Sequence, residues 1–557
     1  ATAWSYGWEE LPNLMIPNFN GGASAQAVDP DKSETIKLLK RAGQSGIKEI
    51  AKGLPLYWGP QPFTAGPMYM GAITIFLFLL GLFLYKGKEK WWVLAGTLIA
   101  VLMALGSHFM PFTKFCFKVL PLYNKFRTVS MALIILQVTL PVLGFLVLDR
   151  IVKGSYDRKD FLKKSAVAFA LTGGFCLLCA LVPSIAGDFS AASDAGQQDI
   201  LVDAFRADRR ALLRTDALIS FALIAASWVL LLWAFLPGKS GAKAPRNAIA
   251  ATAICALLLV NLFSTGKRYL NADHFITPKD FRKPFAERTV DQVIKADPDP
   301  SYRVLNMPYD ERGLSTVFNE NQTSYYHKSV GGYSPAKLQR YQDLIEHYLV
   351  QEINAVYGSM RGASTLREME DSLPETPLLN ALNTRYIIVG GDYPPLTNPS
   401  ALGTAWFVDE VVPAATADEE IALLGSVDLR RQAVVGADMP AVQAAPADSS
   451  DVIALSSYAP NELHYKYKAS SDRLAVFSEI YYPNGWKAQV DGMPVGVLRA
   501  DWTFRAAVLP AGEHELVMRF DPDSYRVGAN VSRASSLILI VLMLLALAGM
   551  FIPARKK

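Results

Sequence analysis

The sequence predicts a polytopic α-helical membrane protein with a large α/β plus β-sandwich region outside the membrane. Three observations predict it. The 557 residues are 51% hydrophobic and only 19% charged, on the apolar side for a soluble chain. The apolar residues gather in seven runs close to the ~20 residues that a helix needs to cross a bilayer. Between the sixth and seventh runs lies a long polar stretch, residues 265–533, ample for independent folding.

The runs are Met68–Tyr85, Trp91–Ser107, Val129–Leu148, Ala166–Ile185, Asp216–Leu236, Ala248–Ser264 and Ala534–Pro553. Tyr85, Trp91 and Trp92 stand at run ends, where amphipathic rings prefer the headgroup level. Lys86, Lys88 and Lys90 fill the first connection, and Arg150, Lys153, Arg158, Lys159, Lys163 and Lys164 the third. Lys239, Lys243 and Arg246 fill the fifth, and Arg555, Lys556 and Lys557 the tail. Seven spans put all four groups on one side, the cytoplasm by the positive-inside rule, so the topology is N-out and C-in. The expected domains are an extracytoplasmic loop region with an amphipathic helix (1–67) and a membrane domain of six transmembrane helices (68–264). An extracytoplasmic α/β domain (265–426), an extracytoplasmic β-sandwich (427–533) and a final span with a basic tail (534–557) follow. The beginning, ATAWSYGWEE, has neither Met nor the pattern of a signal peptide, and is expected to continue from a longer polypeptide.

Charge follows the same division. Residues 265–533 hold 26 basic and 35 acidic side chains, a net of −9, against 29 and 16 elsewhere, a net of +13. An acidic domain on a basic membrane body gives no sign of nucleic-acid binding. The four cysteines lie in or beside apolar runs and none between Gly266 and Arg533, so no disulfide staples the polar region. Cys176 and Cys179 are spaced as C-x-x-C but read as small apolar residues of a span. The six histidines are scattered without metal-ligand spacing, and no phosphate-loop, zinc-hydrolase or serine-hydrolase motif is present. That argues against those three classes.

One outer loop breaks the charge rule. His108–Thr128 carries Lys114, Lys118, Lys125 and Arg127 with six aromatic rings and no acid, the pattern of an interfacial amphipathic segment. It is either a seat for an anionic lipid headgroup, with Lys125 and Arg127 on phosphate oxygens, or a set of snorkelling side chains. In Ala1–Gly66, Ser33 is expected to cap a helix running to about Lys52. The flanking stretches WSYGWEELPNLMIPNF and LPLYWGPQPFTAGP are rich in aromatics, Pro and Gly. Trp4, Tyr6, Trp8, Tyr57 and Trp58 suit either sugar stacking or an interfacial belt. Glu9 and Glu10 are candidate general bases or solvated loop acids. Asp188, Asp194, Asp199, Asp203 and Asp208 read as solvated acids on a surface helix with internal ion pairs. Gln137 is expected to bond a neighbouring helix, and Pro141 to kink its own.

From Tyr269 to Ser426, helices alternate with strands such as YRVL and RYIIVGG. A helix is expected to start at Ser334, with Pro335 at its first position. Beyond Arg430, ELHYKYKA, LAVFSEIYY, KAQVDG, FRAAVLP and HELVMRF alternate as strands, with turns at Asn484-Gly485, Asp491-Gly492 and Ala511-Gly512.

Taken together, WSYGWEELPNLMIPNFNGGAS, LPLYWGPQPFTAGPMYMGA, PLYNKFRTVSMAL, YRVLN with GGYSPAKLQRYQDLI, LNALNTRYII, and YYPNGWKAQVDGMPVGVLRADWTFRAAVLPAGEHELVMRF resemble the YfhO family of bacterial membrane proteins. The resemblance implies a GT-C-like fold in the bacterial cytoplasmic (inner) membrane. It implies an inverting glycosyltransferase that moves a sugar from a polyprenyl-phosphate donor to a cell-envelope glycan or polymer on the outer side. In that reading Lys118, Lys125 and Arg127 hold the lipid phosphate, and Tyr57, Trp58 and Gln61 line the sugar site. Glu9 and Glu10 are the catalytic candidates within the chain, the family's main acid being expected before Ala1. No cofactor beyond the lipid-linked sugar is implied, and divalent-metal need is left open. The alternative is a non-enzymatic envelope scaffold, assembly factor or lipid-linked-sugar transporter using the same lipid site.

Overall fold

The computed structural model describes residues 2–235, 243–299, 301–307, 317–446 and 448–550. Lys239 and the basic tail Arg555–Lys557, used above for orientation, lie outside the described residues. The chain divides into two units, Ala1–Ile276 and Thr277–Lys557.

Among the described residues, six helices are long and apolar enough to cross a membrane. Five belong to the first unit: Glu89–Val119, Val129–Val152, Arg158–Leu181, Asp199–Ala234 and Arg246–His274. The sixth, Asp523–Gly549, ends the second. The expected first span, Met68–Tyr85, is different. Its helix is Ala72–Leu84, 13 residues, about 20 Å long. Residues before it are held out of helical geometry: Met70 N–H donates to Leu14 O at 3.0 Å, and Gly71 has φ 101°. The Tyr69 hydroxyl then accepts the Ala72 N–H at 2.9 Å. This short helix is largely buried among its neighbours. Gly81 lies against Leu143, and Gly144 against Leu77, the close approach that small residues allow between membrane helices.

The Asp199–Ala234 helix runs unbroken for 36 residues, so the expected surface helix and the fifth span are one element. Glu89–Val119 is interrupted at Gly106, φ 47°. Beyond it Met110–Val119 is amphipathic, with Lys114, Phe115 and Lys118 exposed and Thr113 and Cys116 buried. Ser33 caps as expected, its Oγ accepting the Ile36 N–H at 3.1 Å. The helix it starts ends at Arg41, however, because Gly43 and Gly46 both adopt positive φ. Gln137 makes no helix–helix hydrogen bond among the described residues. Thr139 does, through Thr97 Oγ1 at 2.9 Å.

Among its described residues the second unit contains four sheets. Parallel strands β1 (Arg303–Asn306) and β2 (Thr384–Ile388) carry the short β3 (Leu396–Thr397). After β4 (Ala405–Phe407), β5 (Glu410–Ala414) pairs in parallel with β6 (Gln432–Gly436). The two larger sheets are antiparallel. One has the order β11-β10-β14-β8-β7, from Met493–Val495, Trp486–Val490, Gly512–Phe520, Glu462–Ala469 and Val452–Ala459. The other has the order β12-β13-β9-β4, from Leu498–Ala500, Phe504–Leu509, Arg473–Ile480 and β4. β4 therefore carries the sandwich back across the expected boundary at residue 427. Asp491 (φ 48°) and Gly492 (φ 84°) turn the β10–β11 hairpin, the left-handed pair that Asp-Gly supplies. The helix expected at Ser334 begins instead at Gln339. Pro335 and Ala336 form a turn before it, and the residues it buries, Leu344 and Ile345, lie a full turn further on.

Desolvation raises the proton affinity of two carboxyls among the described residues of this unit. Burial pushes Glu352 up to about 7 against the Leu378 and Leu379 N–H groups it accepts. Burial likewise pushes Asp501 up to about 8, with Val434 N–H donating to it at 2.7 Å. A carboxyl raised in the folded state binds a proton that the unfolded chain has lost, so stability is full below the unfolded value and falls as pH rises. Thermal melts of the full chain in nanodiscs, followed by tryptophan fluorescence, should show the midpoint falling between about pH 5 and about pH 8. Asp501→Asn should flatten that slope.

Candidate functional site

The two aromatic segments of residues 1–67 meet at one carboxylate. Glu10 lies in the 3₁₀ turn Trp8–Leu14 and is 1% exposed. Its Oε2 accepts the Gly7 N–H at 2.9 Å. Its Oε1 accepts the Tyr57 hydroxyl at 2.6 Å. Gln61 Nε2 bridges both oxygens at 3.0 and 3.2 Å, and the Gln61 N–H donates to the Tyr57 oxygen at 3.0 Å. Tyr6 closes the turn by donating to Glu10 O at 3.0 Å. Burial pushes the Glu10 carboxyl above the ordinary range, against the pull of the hydrogen bonds from Tyr57, Gly7 and Gln61. Burial and the Glu10 charge raise the Tyr57 phenol, which stays a donor.

These residues line a cavity of about 250 Å³, with Trp4, Phe63, Thr128 and Ser130 among its other walls. Trp4 and Phe63 meet edge to face at 5.1 Å, and Trp4 Nε1 donates to Phe63 O at 3.2 Å. Trp4 also ties the NKFRT stretch to the cavity. Its N–H donates to Arg127 O at 2.9 Å, and its carbonyl accepts the Ser130 N–H at 3.2 Å. The side chains of Lys118, Lys125 and Arg127 are exposed and make no ion pair among the described residues.

Of the sequence candidates, Glu10, Tyr57 and Gln61 therefore come together, with Lys125 and Arg127 in the segment at the rim. Glu9 is exposed and is not among the cavity walls. Trp58 is not in the cavity either. It follows Tyr57 in non-helical chain, where successive side chains diverge, and its ring packs on Phe189 at 5.1 Å. Gly59 carried no signal in the sequence, yet a Cβ there would meet the Tyr57 hydroxyl and lie 2.8 Å from Glu10 Oε1. A second, largely apolar cavity of about 390 Å³ lies among the helices, lined by Tyr69, Met70, Leu136, Gln137, Pro141 and Leu258 among others. Its wall resumes where the first ends: Gly66, Pro67 and Met68 line one, Tyr69 and Met70 the other.

Buried charge on the Asp199–Ala234 helix braces the site. Asp208, read from sequence as solvated, is 6% exposed. It accepts from Ser33 Oγ at 2.6 Å, Glu34 N at 2.7 Å and Thr35 N at 3.1 Å, capping the Glu34–Arg41 helix from outside. Arg209, fully buried, grips Asp194 at 2.7 and 2.8 Å and donates to Phe189 O and Pro55 O, each at 2.7 Å. Lower on the same helix Asp216 pairs with Arg268 at 2.7 Å.

Comparison with known proteins bears on the other unit. Residues 421–532 match the family described as bacterial membrane protein YfhO. Over that stretch the chain is similar to the YfhO family, and its described residues include helices of membrane-spanning length. The YfhO match opens in the Ala417–Leu423 helix, takes in β6 and the sandwich strands from β7 onward, and closes in the last helix. It does not reach the Glu10 cavity, so that site rests on its geometry alone. No curated protein and no solved structure matches the chain.

Two substitutions test this construction. Gly59→Ala places a methyl against Tyr57 and Glu10, and should lower stability by about 1–3 kcal/mol, the cost of overpacking. Asp208→Ala removes three hydrogen bonds and should cost about 2 kcal/mol. Both are read from thermal unfolding of the purified chain, with Glu9→Ala expected to leave the midpoint unchanged.

Proposed function

We propose that the chain transfers a sugar from a polyprenyl-phosphate donor to a hydroxyl of a cell-envelope glycan, at the Glu10 cavity on the outer side of the membrane. The observation that carries this reading is a buried carboxylate with a raised proton affinity, in an aromatic-walled cavity whose lining chain continues into that of an apolar cavity among the apolar helices. The apolar cavity suits the isoprenoid tail, and the one with Glu10, Gln61 and aromatic faces suits the sugar. Trp4 and Phe63 offer ring faces, and Lys125 and Arg127 stand at the rim for the phosphate.

The acceptor hydroxyl displaces Gln61 from Glu10 and gives its proton to the carboxylate. The hydroxyl oxygen forms a bond to the anomeric carbon as the carbon–oxygen bond to phosphate breaks. The electron pair leaves with the lipid phosphate, whose charge the cations stabilise. Tyr57 and Gly7 hold the carboxyl in place by donating to it. Raised proton affinity makes Glu10 a better base than an ordinary carboxylate, so activity falls as pH drops through its raised value.

The test is a transfer assay on the purified chain in nanodiscs. Undecaprenyl-phosphate carrying radiolabelled glucose, galactose or N-acetylglucosamine is the donor, and extracted envelope polymer the acceptor. One donor should label the polymer, and Glu10→Gln should lower the rate by about a hundredfold or more and remove the acid limb of its pH profile. Native mass spectrometry should retain the undecaprenyl-phosphate adduct in Glu10→Gln and lose it in Arg127→Ala. An adduct without transfer by the wild type, across all three donors, would favour a lipid-linked-sugar transporter. Wild-type rates in Glu10→Gln would remove that residue from the chemistry.

A further inference from the structure

We infer that the segment following the Arg246–His274 helix is an interfacial anchor. Phe281 and Tyr325 lie in the headgroup region of the bilayer, and Lys279, Arg282 and Lys283 contact anionic lipid headgroups there. Phe281 is 61% exposed and Tyr325 63%, large rings left open on a polar unit.

This exposure is built rather than loose. Phe281 and Phe285 pack at 6.0 Å, and Phe285 stacks on Tyr325 at 4.8 Å. The Tyr326 hydroxyl donates to Phe285 O at 2.7 Å, and Gln322 Nε2 to Pro284 O at 3.0 Å. Thr277 caps the turn that carries Phe281, accepting the Asp280 N–H at 3.2 Å. The rings are therefore fixed outward.

Chain length sets where they point. Phe281 is seven residues beyond the end of a membrane-length helix at His274, so it lies within about 25 Å of that end even when fully extended. Charge gives the occupant. In a region with a net of −9, Lys279, Arg282 and Lys283 are exposed and make no ion pair among the described residues. Of the nearby acids, Asp280 accepts from Thr277 at 2.7 Å and Glu287 from Lys295 at 2.7 Å, and Asp273 is exposed. Aromatic rings interleaved with free cations, close to a span's end, fit an anionic lipid surface.

Nitroxide labels on Phe281→Cys and Tyr325→Cys, in the full chain lacking its native cysteines and held in nanodiscs of phosphatidylcholine with phosphatidylglycerol, test the assignment. Met493→Cys on exposed β11 serves as the aqueous control. Collision with oxygen should exceed collision with the nickel chelate at 281 and 325, and the order should reverse at 493. Raising the anionic lipid should deepen the first two labels, and Lys279→Gln/Arg282→Gln/Lys283→Gln should remove that dependence. Hydrogen exchange on the unlabelled chain gives an independent reading, with residues 275–285 expected to slow severalfold in anionic nanodiscs. Labels as open to nickel as 493 would place the segment in water. Labels shielded from both reagents would mean that protein, not lipid, covers it. Either result overturns the anchor.

Discussion

One turn of one helix carries the arrangement of the first unit. Asp208 and Arg209 project from the Asp199–Ala234 helix toward residues 1–67 and bind the backbone at Glu34, Thr35 and Pro55 as well as the Ser33 hydroxyl. Irregular chain buried against helices leaves N–H and C=O groups with no ladder to join, and each unpaired group is costly. A single carboxylate satisfies two helix N–H groups, and a single guanidinium satisfies two carbonyls while its own charge is met by Asp194. Without them, the two aromatic segments would have no reason to hold Glu10 and Tyr57 within 2.6 Å.

The same logic separates what was legible in the sequence from what was not. Strands ELHYKYKA and HELVMRF announce themselves by alternation, and they pair as β8 and β14, because burial of one face is a local pattern. The long spans are legible for the same reason. The Ala72–Leu84 helix is shorter than the apolar run that predicts it, because Met70 and Gly71 are held in extended chain by tertiary contact that hydropathy does not see. Glu10 stood out as an acid among aromatics, but its partners lie 47 and 51 residues away, and no periodicity encodes that. Asp208 and Asp203 look alike in sequence. One is sealed under a helix N-terminus and the other makes an exposed pair with Arg206, a difference made entirely by tertiary contact.

Glycine marks the places where side chains would have obstructed the design. Gly59 leaves room for the Tyr57 hydroxyl and the Glu10 carboxylate to meet, and Gly71, at φ 101°, turns extended chain into a helix that starts inside the unit. Each is a small absence that sets the geometry of larger groups around it, which is why neither drew attention as a motif.

The junction between β14 and the last helix has a mechanical consequence. Only Asp521 and Pro522 separate Phe520 from Asp523, and Asp521 is pinned, its N–H to Gly485 O at 2.8 Å and its carboxylate to Lys487 at 3.2 Å. A hinge needs free torsions, and this one has few. The sandwich is therefore less a tethered ball than a flag on a stiff pole. Any tilt or rotation of the helix within its bilayer is delivered to the strands as the same tilt or rotation. Lipid thickness, which sets helix tilt, thereby becomes an input to how the sandwich faces its surroundings.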